Sequence, residues 1–91
     1  MTDSIEEIRV VFRLWGPMRL AARQETIAVR LPAKSGAARL SAALDILYRS
    51  FPALAPHRAS ARVAIGNDYV RDDRPLQGGE EISLIPPVQG G

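Results

Sequence analysis

The sequence predicts an α+β domain: a mixed sheet of four to five strands with one main helix across one face. Three observations carry this expectation. Apolar residues alternate with period two in Glu7 to Trp15, Thr26 to Leu31, Arg62 to Ile65 and Glu80 to Ile85, the mark of half-buried strands. One stretch, Leu40 to Phe51, carries them at helical spacing instead. Proline or glycine punctuates most of the junctions.

The first strand places Ile8, Val10, Phe12 and Leu14 on one parity and Arg9, Val11, Arg13 and Trp15 on the other. The apolar set is the core face. Gly16-Pro17 breaks the strand, and Pro17 to Ala22 leaves room for one helical turn. Alternation resumes with Ile27, Val29 and Leu31 inward and Ala28 and Arg30 outward, so the first two strands read as an antiparallel hairpin that Pro32 ends. Ser35 or Gly36 is the expected helix start. Leu40, Ala43, Leu44, Leu47 and Phe51 form its apolar stripe, and Pro52 stops it. That stripe reads as a core face covering the sheet rather than a cofactor groove.

Ala53 to Ser60 reads as a loop, with the single histidine, His57, as solvated surface rather than a metal ligand or general base. Arg62 to Ile65 is a strand with Val63 and Ile65 inward. Gly66-Asn67-Asp68 is a turn, and Tyr69-Val70-Arg71 a short strand after it. Asp72-Asp73 reads as a capped turn, with an ion pair to Arg71 or Arg74, more readily than as a cation site. Leu76 anchors the connection and Gly78-Gly79 turns the chain. Without a following helix or a Lys, that pair is not a phosphate loop. The last strand, Glu80 to Ile85, carries Ile82 and Leu84 inward and Ser83 and Ile85 outward. Hairpin, helix, short hairpin and final strand together form the β-grasp arrangement, in which first and last strands lie parallel at the centre.

At 91 residues, with 46% hydrophobic and 24% charged, the chain makes one small domain with a single core. Residues 1–7 read as a flexible N-terminus, 8–85 as the domain and 86–91 as an extended tail. With no cysteine, neither a disulfide framework nor a thiolate nucleophile is available, which fits a reducing, cytoplasmic setting. Nothing resembles a signal peptide, and no apolar run approaches the ~18 residues of a membrane span. The pI of 9.7 suggests nucleic-acid binding, but the net charge is only +2. The basic residues are scattered, eleven of twelve being Arg, with no interleaved aromatics, so no nucleic-acid partner is expected.

The final six residues, Pro86-Pro87-Val88-Gln89-Gly90-Gly91, stand apart. The prolines hold φ near −65° and disfavour helix before them, so the tail leaves the domain extended, reaching ~18–20 Å over six residues. Gly90 and Gly91 have no Cβ and can pass a channel too narrow for other residues. A frayed terminus is the ordinary alternative.

Gly79-Glu80-Glu81, the apolar strand and Pro86-Pro87-Val88-Gln89-Gly90-Gly91 resemble the ending of the molybdopterin synthase small subunits and their sulfur-carrier relatives. Trp15-Gly16-Pro17-Met18-Arg19 is similar to the family's aromatic-Gly-x-Leu-Arg segment, and Ser50-Phe51-Pro52-Ala53-Leu54 to its helix exit. The resemblance runs from Ile8 to Gly91. It departs at Arg23, where a turn glycine is common, so that turn is expected to be rebuilt. It departs also at Gly36-Ala37-Ala38, which replaces a Thr-Val helix entry.

The resemblance implies a carrier whose Gly91 carboxylate is adenylated by a partner enzyme using ATP and converted to a thiocarboxylate. The sulfur comes from a donor such as a cysteine desulfurase or rhodanese. It implies a second partner, the molybdopterin synthase large subunit, which receives the tail and holds the catalytic residues. The carrier itself holds no cofactor and no metal. Carriers for thiamine thiazole, for cysteine or for a secondary metabolite share the chemistry, and a ubiquitin-like binding or conjugation module is the alternative from another class. Parity adds a docking patch: Val11 and Ile85 as an apolar centre, flanked by Arg9, Arg13, Arg62 and Ala64.

Overall fold

The computed structural model describes residues 6–34 and 36–87. Five strands form one sheet: β1 (Glu7–Leu14), β2 (Thr26–Pro32), β3 (Arg62–Ile65), β4 (Asp68–Val70) and β5 (Glu81–Ile85), in the order β2-β1-β5-β3-β4. Among the described residues there are also two α-helices, α1 (Gly16–Ala22) and α2 (Leu40–Ser50), and a 3₁₀ helix, Pro52–His57. β1 pairs antiparallel with β2, with Val10 opposite Val29 and Phe12 opposite Ile27. It pairs parallel with β5, from Val11 opposite Glu81 to Leu14 opposite Leu84. The β-grasp expectation holds, with first and last strands as parallel neighbours in the middle of the sheet.

The core follows the predicted parities. Val10, Phe12, Leu14, Leu31, Ile82 and Leu84 on the sheet are fully buried, as are Leu47 on α2 and Met18 on α1. Each large side chain removed from water contributes roughly 1.5–3 kcal/mol, so this set is the main stabilising contribution. Val63 and Ile65 point inward but stay half-buried, because β3 lies towards one margin of the sheet.

Several local expectations are corrected. The segment after β1 is a seven-residue helix rather than a single turn, with Pro17 in its first turn, where the missing N–H costs nothing. Ala53 to Ser60 is not wholly loop: the 3₁₀ helix occupies its first half and buries Leu54 completely. β4 starts one residue early, because Ile65 pairs Asp68 across a two-residue turn at Gly66-Asn67, with Gly66 at φ 64°. β5 begins at Glu81, since the Glu80 carboxylate accepts a bond from the Gln77 N–H and closes the turn before it.

The helix entry differs most. α2 starts at Leu40, not at Ser35 or Gly36; Ser35 lies outside the described residues, and Gly36 is left-handed at φ 78°. Arg39, at the N-cap, makes no side-chain cap bond. The cap comes from Asp73 instead, distant in sequence. Its carboxylate accepts the Ser41 N–H at 2.8 Å, the Ser41 hydroxyl at 2.9 Å and Arg39 Nε at 3.0 Å. Asp73 therefore serves Arg39 and Ser41, not Arg71 or Arg74. Backbone bonds from Leu40 to Arg74 and from Leu76 to Ala38 fix the same junction.

The Ser41 amide, the Arg39 guanidinium and the Ser41 hydroxyl hold the Asp73 carboxyl below the ordinary aspartate range. A carboxylate whose folded pKa is depressed stabilises the fold fully above its unfolded pKa, and loses that contribution as pH falls through the folded value. Asp73→Asn should therefore melt below the wild type at neutral pH. The gap should close as pH drops below about 3.9, where the unfolded carboxyl takes up its proton. Thermal denaturation across that range checks both outcomes.

Candidate functional site

The tail begins where a doubly paired strand ends. β5 is flanked by β1 on one side and by β3 on the other, where Arg62 opposes Ile85. It stops there because Pro86 and Pro87 have no N–H to donate to a ladder. Pro86 then packs over Gly16. A Cβ on Gly16 would lie 3.1 Å from Pro86 Cγ, and the backbone there is left-handed at φ 56°. Glycine is thus required twice at this position, by conformation and by close approach. Val88, Gln89, Gly90 and Gly91 lie outside the described residues.

The turn that closes α1 is not rebuilt. Arg23 occupies the left-handed position itself, at φ 60° and ψ 29°, and its N–H bonds to the Arg19 carbonyl at 2.9 Å. The glycine-type geometry persists, and a β-carbon is held in it.

Arg9, Val11, Arg13, Arg62 and Ile85 share the outer sheet face with Ala64, as their parities imply, but register divides them. Val11 lies between Ala28 and Glu81, Arg13 between Thr26 and Ser83, and Ile85 beside Arg62. Four residues of β5 separate the row of Val11 from Ile85, about 13 Å along the strand. The two apolar side chains therefore do not make one centre. Between them Arg13 bonds to the Glu81 carboxylate at 3.0 Å, so an ion pair sits where an apolar patch is expected.

Two aromatic residues join this face. Tyr69 opposes Ala64 and is 60% exposed. Trp15, 45% exposed, follows Leu14 in extended conformation and so comes to the level of Ile85, at the tail end of the face. Its outward parity is legible in sequence; its nearness to Ile85 follows only from the parallel register. His57 is also displaced from expectation. It is half-buried at the end of the 3₁₀ helix and lines a cleft with Pro86 and Pro87. Among the described residues no three His, Asp or Glu side chains gather as metal ligands, and no helix is long and apolar enough to cross a membrane.

A β-grasp sheet whose central strand ends at a diproline has the architecture of the ubiquitin-like proteins. The chain belongs to the ThiS family of sulfur carriers, whose model matches residues 18–91. It is 24% identical over 90 residues to the molybdopterin synthase sulfur carrier subunit of Arabidopsis thaliana, covering 99% of this chain and 91% of that one. The complex of subunits 1 and 2 of molybdopterin-converting factor from Helicobacter pylori contains a chain 25% identical to this one. The match covers 92% of this chain and all of that one, with a TM-score of 0.66. Small archaeal modifier protein 1 of Methanosarcina acetivorans shares the fold at 20% identity, with a TM-score of 0.74 over 94% of this chain and 99% of that one.

Gly16 and Arg23, both at positive φ, make opposite predictions. Gly16→Val should cost about 1–2 kcal/mol in backbone strain alone, and more as its side chain meets Pro86. Denaturant unfolding reads the loss, and shifted backbone resonances at Ile85 report the displaced tail base. Arg23→Gly should stabilise, by less than about 1 kcal/mol, because glycine also gains freedom in the unfolded chain; an unchanged or lower melting temperature would contradict the strain assigned to Arg23.

Proposed function

We propose that this carrier is the sulfur-donating small subunit of a molybdopterin synthase, with the Gly91 carboxylate as its reacting group. The observation that carries the reading is the near full-length similarity to the Arabidopsis thaliana sulfur carrier subunit, joined to a family match that extends through Gly91. A carboxylate is a poor electrophile until one oxygen becomes a leaving group. A partner adenylating enzyme supplies that change: the Gly91 carboxylate attacks the α-phosphate of ATP, pyrophosphate departs, and an acyl-adenylate forms. The terminal sulfur of a persulfide on a desulfurase or rhodanese donor then displaces AMP to form an acyl disulfide. A second thiol attacks the donor-side sulfur, forming a disulfide with the donor and releasing a thiocarboxylate, ionised and nucleophilic at neutral pH as a thiolate is.

Each tail residue has a part in this scheme. Pro86 and Pro87 set the direction in which the chain leaves β5. Val88 and Gln89 span the partner's channel, and Gly90 keeps its narrow end clear of side chains. In the synthase, the tail would enter a large subunit like the second subunit of the Helicobacter pylori complex, and that subunit would supply the acid, the base and the pterin precursor. The carrier contributes reach and a single reactive atom.

Intact-mass measurement after incubation with the cognate adenylating enzyme, ATP and a sulfur source tests the chemistry. The expected species carries one sulfur in place of one oxygen on the C-terminal peptide. An isopeptide adduct to a lysine instead would place the chain among protein modifiers. Deleting Gly91 should abolish sulfur transfer and leave the melting temperature unchanged; a truncated chain that still transfers sulfur would overturn the assignment of the reacting group.

A further inference from the structure

The tail base has two sides, and the outer face accounts for only one of them. On the other side lies a cleft of about 410 Å³, walled by Pro17 and Met18 of α1, His57, Ser60, Ala61 and the tail prolines Pro86 and Pro87. Its surface is largely apolar. His57 and Ser60 supply its polar side chains, and Ser60 bonds only its own loop, through a 3.4 Å contact to the His57 carbonyl. Its shape is held from three directions. Met18 is completely buried in the core, the 3₁₀ helix is anchored by buried Leu54, and Pro86 is seated on Gly16.

Chain length identifies what meets this cleft. Four residues lead from Pro87 to Gly91, about 13 Å when fully extended. Any enzyme that works on the Gly91 carboxylate must bring the mouth of its channel within that distance of Pro87, which is itself a cleft wall. A protein that encloses the tail there faces Trp15 and Ile85 on one side and the cleft on the other. We infer that the cleft receives an apolar side chain from the channel mouth of the adenylating enzyme, so that the tail base is gripped from both sides. The inference rests on the sulfur-carrier reading above. The occupant is an aliphatic or aromatic residue, because the solvent-facing walls Pro17, Ala61, Pro86 and Pro87 are apolar and no Lys, Arg, Asp or Glu lines the cleft. Ser60 and His57 are positioning residues in this arrangement. They border the grip and do not touch the reacting atoms.

Blocking the cleft should therefore weaken docking without slowing the chemical step. Ser60 is exposed and at the rim, so Ser60→Trp fills the space and Ser60→Glu places a charge in it, both without disturbing the core. Pyrophosphate release by the cognate adenylating enzyme is measured with ATP while the carrier concentration is varied. Both variants should raise the KM for the carrier about tenfold or more, as loss of one interface anchor does, with kcat within about twofold of wild type. Ser60→Ala, which leaves the cleft open, should behave as wild type. Wild-type kinetics in the tryptophan and glutamate variants, at unchanged melting temperature, would overturn the inference. A lowered KM would also overturn it, pointing to the carrier's own tail as occupant. Failure of the wild-type chain to release pyrophosphate at all would count against the sulfur-carrier reading instead.

Discussion

The parallel pairing of β1 with β5 is the constraint on which the placement of Pro86 and Pro87 depends. Parallel neighbours cannot be joined by a tight turn, so β2, α2, β3 and β4 all lie between them in the chain. Because both strands run the same way, the turn that leaves β1 and the tail that leaves β5 emerge at one end of the sheet. Gly16 and Pro86 meet there, and the seat of the tail is a contact between the first connection and the last residues of the domain. The Trp15-Gly16-Pro17 segment and the diproline thus belong to one structural unit despite their separation in sequence. Central placement adds stiffness, since β5 is hydrogen-bonded along both edges and does not fray as an edge strand would.

Four of the eleven arginines organise local geometry: Arg13, Arg19, Arg39 and Arg58 are held by Glu81, Glu25, Asp73 and Asp45. Arg58 also lies over the Tyr48 ring, 4.9 Å from its centre, and ties the end of the 3₁₀ helix to α2. These pairs are solvent-exposed and individually weak, so their stabilising effect is small. Their value is positional. Arg13–Glu81 spans the β1–β5 seam on its outer face, and Arg39–Asp73 closes the helix entry.

Strand parities were legible because α2 buries one face of the sheet, and burial of one face imposes period two on every strand. The places where sequence reading falls short are those where a partner comes from far along the chain. The start of α2 is obscure because its cap is Asp73 rather than a residue before Leu40. The outer patch of Val11 and Ile85 fails as a single centre because parity assigns a face but not a row, and the register sets Glu81 beside Val11. Trp15 is overlooked as the companion of Ile85 for the same reason. Arg23 misleads differently: a residue type disfavoured at positive φ is held there by the helix end it terminates.

By itself, then, the sequence determined the fold class, the inward face of each strand, the one-helix cover and the tail as the element to watch. Alternation, helical spacing and proline chemistry are local properties, and they survive without knowledge of neighbours. Tertiary structure alone decided which outer residues stand side by side, what caps α2, why Gly16 is glycine, and that a cleft borders the tail beside His57. Each of those is a pairing between distant segments, and only the packing of the sheet specifies which distant segments meet.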